Sequence, residues 1–150
     1  MYDSILSKYA SVGEEGSISL GKNTVVDGYK HGRQIGIFSH IHSDHLRLFP
    51  YALQECTAIF LSPPTFDLIS AIEQDIDDNV SAEAYFGGRH IHRLDFNTPV
   101  IPKTFLRNLG DSKEYSDQIE LKEADHILGS SQVLVTTDDG KKIVYSSDFT

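Results

Sequence analysis

Hydrophobic and polar positions fall into short blocks separated by turn residues along most of the chain. Ser17-Ile18-Ser19-Leu20 alternates, Gly21-Lys22-Asn23 interrupts, and Thr24-Val25-Val26-Asp27-Gly28 resumes, which predicts a β-hairpin within residues 16–28. Gln34 to Ser39 is a short apolar run of strand formers, followed by an expected helix from Leu46 to Ala52. Thr57 to Ser62 reads as a strand that Pro63-Pro64 breaks. Thr65 to Asp77 places Phe66, Leu68, Ile69, Ile72 and Ile76 at helical spacing, and Ser81 to Tyr85 suggests one more helical turn. His90 to Phe96 predicts a strand and Asn97 to Pro102 a loop, with strands resuming near Phe105 and at Gln118 to Lys122. Gln132 to Thr137 and Lys142 to Ser146 flank Asp138-Asp139-Gly140-Lys141, where Asp-Gly between apolar runs marks a second hairpin. The predicted class is α/β (α+β), with sheet dominating and helices packed outside it.

Composition narrows this modestly. A chain of 150 residues with 39% hydrophobic and 23% charged positions suffices for one domain with its own core. No apolar run approaches the roughly 18 residues that span a bilayer. The start, Met1-Tyr2-Asp3-Ser4-Ile5-Leu6, lacks the basic and apolar segments of a secretory signal. Cys56 is the one cysteine, so no internal disulfide forms, and a cytoplasmic location is expected. The net charge of -9 by itself argues against broad nucleic-acid binding. Two bound divalent cations would bring the formal sum to -9 + 4 = -5, so part of the acidity fits a metal site. The basic residues are scattered; Arg89 with Arg93 and Lys103 with Arg107 are too sparse to form a phosphate track.

One run carries the candidate chemistry. In Ser39-His40-Ile41-His42-Ser43-Asp44-His45, four metal-ligand side chains fall within six residues, and imidazole with carboxylate suits zinc and its neighbours. His40 and His42 are two apart, so at the end of an extended strand they point to the same side and can converge on one cation. Asp44 and His45 are adjacent, project differently, and could serve a second cation; Asp44 is also placed to cap a helix starting near His45. A core would not tolerate four unpartnered ionisable groups here, and a solvated loop would not need the apolar run in front of them. His90-Ile91-His92 has no such company and is expected not to bind metal. Cys56, with no histidine or cysteine near it in sequence, is expected to be structural. His126, past the strand Gln118 to Lys122, and Asp148, past Lys142 to Ser146, also fall at strand ends; spacing alone leaves open whether either is a ligand.

Taken together, His40-x-His42-x-Asp44-His45, then Asp125-His126-Ile127-Leu128-Gly129-Ser130, then Tyr145-Ser146-Ser147-Asp148-Phe149 resemble the metallo-β-lactamase superfamily in order and strand placement. The resemblance runs from Ile18 to the end, with gaps in the middle, and implies the αββα sandwich of that family. It also implies two divalent metal ions, zinc by ligand type with manganese or iron as alternatives. His40, His42 and His126 would hold one ion, Asp44 and His45 the other, and Asp148 would bridge them. Asp27 resembles the family's first motif, a carboxylate that orients metal-site histidines from behind.

Within the superfamily, His126-Ile-Leu-Gly-Ser and Tyr145-Ser-Ser-Asp-Phe are most similar to signatures of RNA-processing nucleases of the mRNA 3′-end cleavage and polyadenylation type and the ribonuclease J type. DNA cross-link repair members tend to carry His-Cys-Pro-Gly where Ile127-Leu128-Gly129 follows His126 here. The resemblance therefore implies hydrolysis of RNA, with single-stranded DNA as the alternative. A metal-activated hydroxide would attack phosphorus, with Asp44 and Asp148 as the catalytic carboxylates. A homodimer or a processing-complex partner would be in keeping with it. Asp125 and Ser147 stand where those signatures have glycine. After His45 comes Leu46-Arg47-Leu48 without the glycine usual in glyoxalase-II-like members. The family's last zinc-binding histidine and the nucleases' cap domain would both follow Thr150, so residues 1–150 are read as the N-terminal portion of such a domain. Two other functions keep the same fold: hydrolysis of a small ester or thioester, and a non-catalytic scaffold in an RNA-processing complex.

Overall fold

A computed structural model describes residues 8–13, 16–32, 34–41, 49–76, 91–104 and 116–146. Among these, β1 (Ala10–Val12), β2 (Ile18–Leu20), β3 (Thr24–Val26), β4 (Ile35–Ile37), β5 (Ala58–Leu61) and β6 (Ile91–Arg93) form a sheet in sequence order. The first three strands pair antiparallel and β3 through β6 pair parallel, so the sheet is mixed. A second, antiparallel sheet is built from β7 (Gln118–Glu123), β8 (Ser131–Thr136) and β9 (Lys142–Tyr145). Two helices are described, α1 (Phe49–Glu55) and α2 (Pro63–Ile76).

The layers follow from the two-residue period of strands. On β5, Ala58 and Phe60 enter one core cluster while Ile59 and Leu61 enter another. The first cluster lies between the sheets and joins Leu20, Val26, Ile35, Ile37 and Phe60 to Ile119, Leu121, Val133 and Val135. The second lies between the mixed sheet and the helices, where Phe38, Ile59 and Leu61 meet Phe49, Ala52 and Ile69. A central strand covered on both faces must be apolar throughout, which is why β5 reads as an unbroken hydrophobic run. Helix, sheet and sheet thus stack as layers, and the expected mixed α/β class is the observed one.

Several boundaries differ from the pattern reading. The strand does stop before Pro63-Pro64, but the two prolines also open α2, which starts at Pro63 rather than Thr65. The first helical turn has no use for its N–H groups, so proline fits there, and Ser62 Oγ caps the turn by accepting the Thr65 N–H at 3.3 Å. Helix α1 runs to Glu55 rather than ending at Ala52, and β6 is shorter than His90 to Phe96. The loop Asn97 to Pro102 stitches the sheets together, with Val100 and Ile119 exchanging backbone hydrogen bonds at 2.9 and 2.8 Å. β1 was not expected from the pattern. The helical turn at Ser81 to Tyr85 and the strand near Phe105 lie outside the described residues. No helix among the described residues is long and apolar enough to cross a membrane.

Candidate metal centre

β3 and β4 are parallel neighbours, so the residues that follow them emerge at one edge of the sheet. The Asp27 N–H continues the ladder by donating to the Ile37 carbonyl at 2.8 Å. Asp27 then turns with φ 55°, the left-handed region that non-glycine residues rarely adopt. That conformation costs about 1–2 kcal/mol in a residue with a Cβ. It is held by hydrogen bonds to the carboxylate: the Ser39 N–H donates to Oδ1 at 2.7 Å, and the Ser39 and Tyr145 hydroxyls donate to Oδ2 at 2.7 and 3.1 Å. Tyr145 comes from β9, so Asp27 also ties the two sheets together. His40 follows Ser39 directly, is fully buried, and has Nδ1 2.9 Å from Ser39 Oγ.

His126 arrives from the other sheet. The chain after β7 closes a tight turn in which the Ala124 N–H donates to the Ser130 carbonyl at 2.8 Å and the Ile127 N–H to Ser130 Oγ at 3.1 Å. Gly129, at φ 88°, completes it. A Cβ there would lie 2.8 Å from the Thr65 backbone nitrogen, so a side chain has no room. The Gly129 carbonyl accepts the hydroxyls of Ser62, Thr65 and Ser131 at 2.7, 2.9 and 3.3 Å. The start of α2 therefore anchors the turn that carries His126. The Ser131 N–H donates to the Ser39 carbonyl at 2.8 Å, which joins this turn to the His40 segment. The imidazoles of His40 and His126 end 5.0 Å apart between ring centres, edge to face at 85°.

That spacing suits a shared cation. Two imidazoles on one tetrahedral zinc, each bound through nitrogen at about 2.0–2.1 Å, have ring centres roughly 5 Å apart. The donor types also fit, since imidazole nitrogen is a zinc ligand of choice. Of the residues expected to form the site, His40, His126 and Asp27 are thus gathered at one end of the strands. His42, Asp44, His45 and Asp148 lie outside the described residues. Among the described residues no group of three or more His, Cys, Asp or Glu is placed to hold a metal ion.

Pattern reading missed Ser39 and Tyr145 as partners of Asp27. Ser39 had a weak signal, a hydroxyl between the strand end and the first histidine. Tyr145 had none, because its contact with Asp27 spans 118 positions. Of the other histidines and the cysteine singled out in the sequence, His90 lies outside the described residues, and His92 and Cys56 pack against the core. His92 stacks on Phe60 at 5.3 Å. Burial, with Glu55 nearby, pushes the Cys56 thiol up to about 12, which leaves it a poor nucleophile at neutral pH. A cleft of about 460 Å³ at the far end of the strands is lined by Lys8, Tyr9, Lys22, Thr137, Asp138 and Asp139. Its groups pair with one another: Lys22 Nζ donates to Asp138 at 2.9 Å and the Tyr9 hydroxyl to Asp139 at 2.8 Å.

The scaffold and this site together define a class: a mixed α/β two-sheet sandwich with buried imidazole and carboxylate groups where its strands end. No family model matches the chain. It is similar to the transcription termination factor FttA of Thermococcus kodakarensis, 29% identical over 119 residues, or 75% of this chain and 18% of that protein. A solved structure, the metallo-β-lactamase fold protein YhfI from Bacillus subtilis, is 17% identical and covers 93% of this chain and 58% of its own, with a TM-score of 0.47. The chain thus spans less than two thirds of the length of either.

Proposed function

We propose that this chain is part of a metal-dependent hydrolase of the metallo-β-lactamase type, a dinuclear phosphodiesterase that cleaves RNA. The observation that carries the proposal is the buried His40 ring 5.0 Å from His126, backed by the Asp27 carboxylate, which accepts two hydrogen bonds from Ser39 next to His40. The similarity to a protein named for terminating transcription supports RNA as the substrate class. His40, His42 and His126 would hold one cation, Asp44 and His45 the second, and Asp148 would lie between them. Zinc is favoured by ligand type, with manganese or iron as alternatives. The two ions would supply Lewis acidity toward a phosphoryl oxygen and an activated water.

The protein's own residues do the rest. Asp27 and Ser39 hold His40 in place, and burial of His40 keeps water from competing for its ring. The hydroxyls of Ser62, Thr65 and Ser131 fix the turn that presents His126. Leu128, 70% exposed beside His126, offers an apolar surface at the rim. On this proposal residues 1–150 form the N-terminal portion of the domain, in a cytoplasmic protein that works alone, as a homodimer, or with processing partners.

The test uses the whole protein of which residues 1–150 would be the N-terminal portion, purified without chelator. Metal content is measured first, then hydrolysis of RNA oligomers, single-stranded DNA oligomers and thioesters. Close to two zinc ions per chain with RNA cleavage is the expected result. Thioester turnover with RNA untouched would move the substrate to small molecules. A chain that carries no metal and gains none on titration would be a scaffold, and the proposal would fail.

A further inference from the structure

The Ser39 side chain bridges Asp27 and His40. Its hydroxyl lies 2.7 Å from Asp27 Oδ2 and 2.9 Å from His40 Nδ1, all within the protein interior. A hydroxyl has one proton to give and lone pairs to receive with. The carboxylate can only accept, and hydrogen bonds to a charged acceptor are the stronger kind. Ser39 therefore spends its proton on Asp27 and turns a lone pair toward His40. We infer that Ser39 sets the tautomer of His40: Nδ1 carries the proton and donates to Ser39 Oγ, which leaves the Nε2 lone pair for a metal ion. Ser39 is then a positioning residue that relays the Asp27 charge through a hydroxyl, and Tyr145 steadies the relay by donating to the same Oδ2.

The residue suits the role because its backbone makes ties that do not depend on the hydroxyl. The Ser39 N–H holds Asp27 Oδ1 at 2.7 Å and its carbonyl receives the Ser131 N–H at 2.8 Å. Ser39→Ala removes the hydroxyl and keeps both of those ties, so the segment stays anchored while the relay is cut. A directly bonded carboxylate would fix a histidine equally well. The relay differs in being breakable without disturbing the Asp27 turn.

This inference rests on the proposed metal centre for its purpose, but the tautomer belongs to the metal-free protein and is measured there. Long-range proton–nitrogen correlation spectra of the full chain, labelled with ¹⁵N-histidine, stripped of metal and held at about pH 8, report which nitrogen of His40 carries the proton. The expected result is the Nδ1–H form in the wild type and in Ser39→Thr. Ser39→Ala should shift toward Nε2–H, the form free imidazole side chains prefer. Zinc affinity should fall about 10- to 100-fold in Ser39→Ala, the range for loss of a group behind a ligand, and return in Ser39→Thr. An Nε2–H signal in the wild type would overturn the inference without any variant. So would an unchanged tautomer in a folded Ser39→Ala. If the tautomer follows this pattern and the wild type binds no zinc, the relay stands and the metal reading falls.

Discussion

At the scale of single residues, Gly129 shows how little freedom the site leaves. It and Gly140 share nearly the same backbone, φ 88° and 86°. A Cβ on Gly140 would meet nothing within 4 Å, whereas on Gly129 it would press on the Thr65 backbone and Pro64. Gly140→Ala should therefore cost only the left-handed penalty of about 1–2 kcal/mol. Gly129→Ala should cost clearly more and also move the His40–His126 pair. Urea denaturation of the two variants checks this, and equal losses would mean the turn yields easily. Cys56 makes a second residue-scale case. Its thiol is pushed up to about 12 from the ordinary 9.0, so below about pH 9 both folded and unfolded chains keep the proton. As pH rises from about 9 toward 12 the unfolded thiol ionises and the folded one does not, so stability falls over that window. The wild type should lose stability between about pH 9 and 11 more steeply than Cys56→Ala, and its thiol should resist alkylation at about pH 8 until the chain is unfolded. What chemistry could be read at this scale was residue type: two of the expected histidines and Asp27 do converge. The relay through Ser39 was not legible, because a serine beside a histidine has many ordinary uses and only the fold brings Asp27 to it.

At the scale of elements, the start of α2 does two jobs. Ser62 Oγ caps the helix and also donates to the Gly129 carbonyl, so strand end, helix start and the His126 turn share one hydroxyl. Ser62→Ala should cost about 1–2 kcal/mol, the upper part of the range for a lost cap because a buried carbonyl loses a donor as well. Thr65 and Ser131 still reach that carbonyl, so the fold should survive; a loss under about 0.5 kcal/mol in thermal or urea melts would show that those two suffice. Elements with strong period were readable: both hairpins, β4, β5 and the body of α2 lie where the pattern placed them. The failures share a cause. Pro63-Pro64 carries a breaking signal whose meaning depends on which side of it the helix starts. β1 is three residues at a sheet edge, too short to show an alternation, and owes its existence to pairing with β2.

At the scale of the molecule, the two sheets are fastened at both ends, and the fastenings have different consequences. At the site end, Tyr145 reaches Asp27 and the Ser131 N–H reaches the Ser39 carbonyl. At the far end, buried Asp117 accepts the Lys22 N–H at 2.7 Å, beside the exposed Lys22–Asp138 pair. Exposed pairs of that kind add little, so Asp117 is the far-end tie that matters. Asp117→Ala should lower stability by about 1.5–3 kcal/mol, as for a buried hydrogen bond to a charged group, and leave zinc affinity at the proposed centre unchanged because its tie to Lys22 lies at the far end of the strands from His40. Tyr145→Phe removes a single hydroxyl and should lower stability by only about 1 kcal/mol, yet weaken zinc severalfold because Asp27 loses a donor and the relay loosens. Urea titrations and zinc titrations on the same pair of variants give the comparison. If Asp117→Ala weakens zinc as much as Tyr145→Phe does, the two ends are mechanically coupled through the sheets. The site would then depend on the closure of the whole sandwich and not on the local network around Asp27.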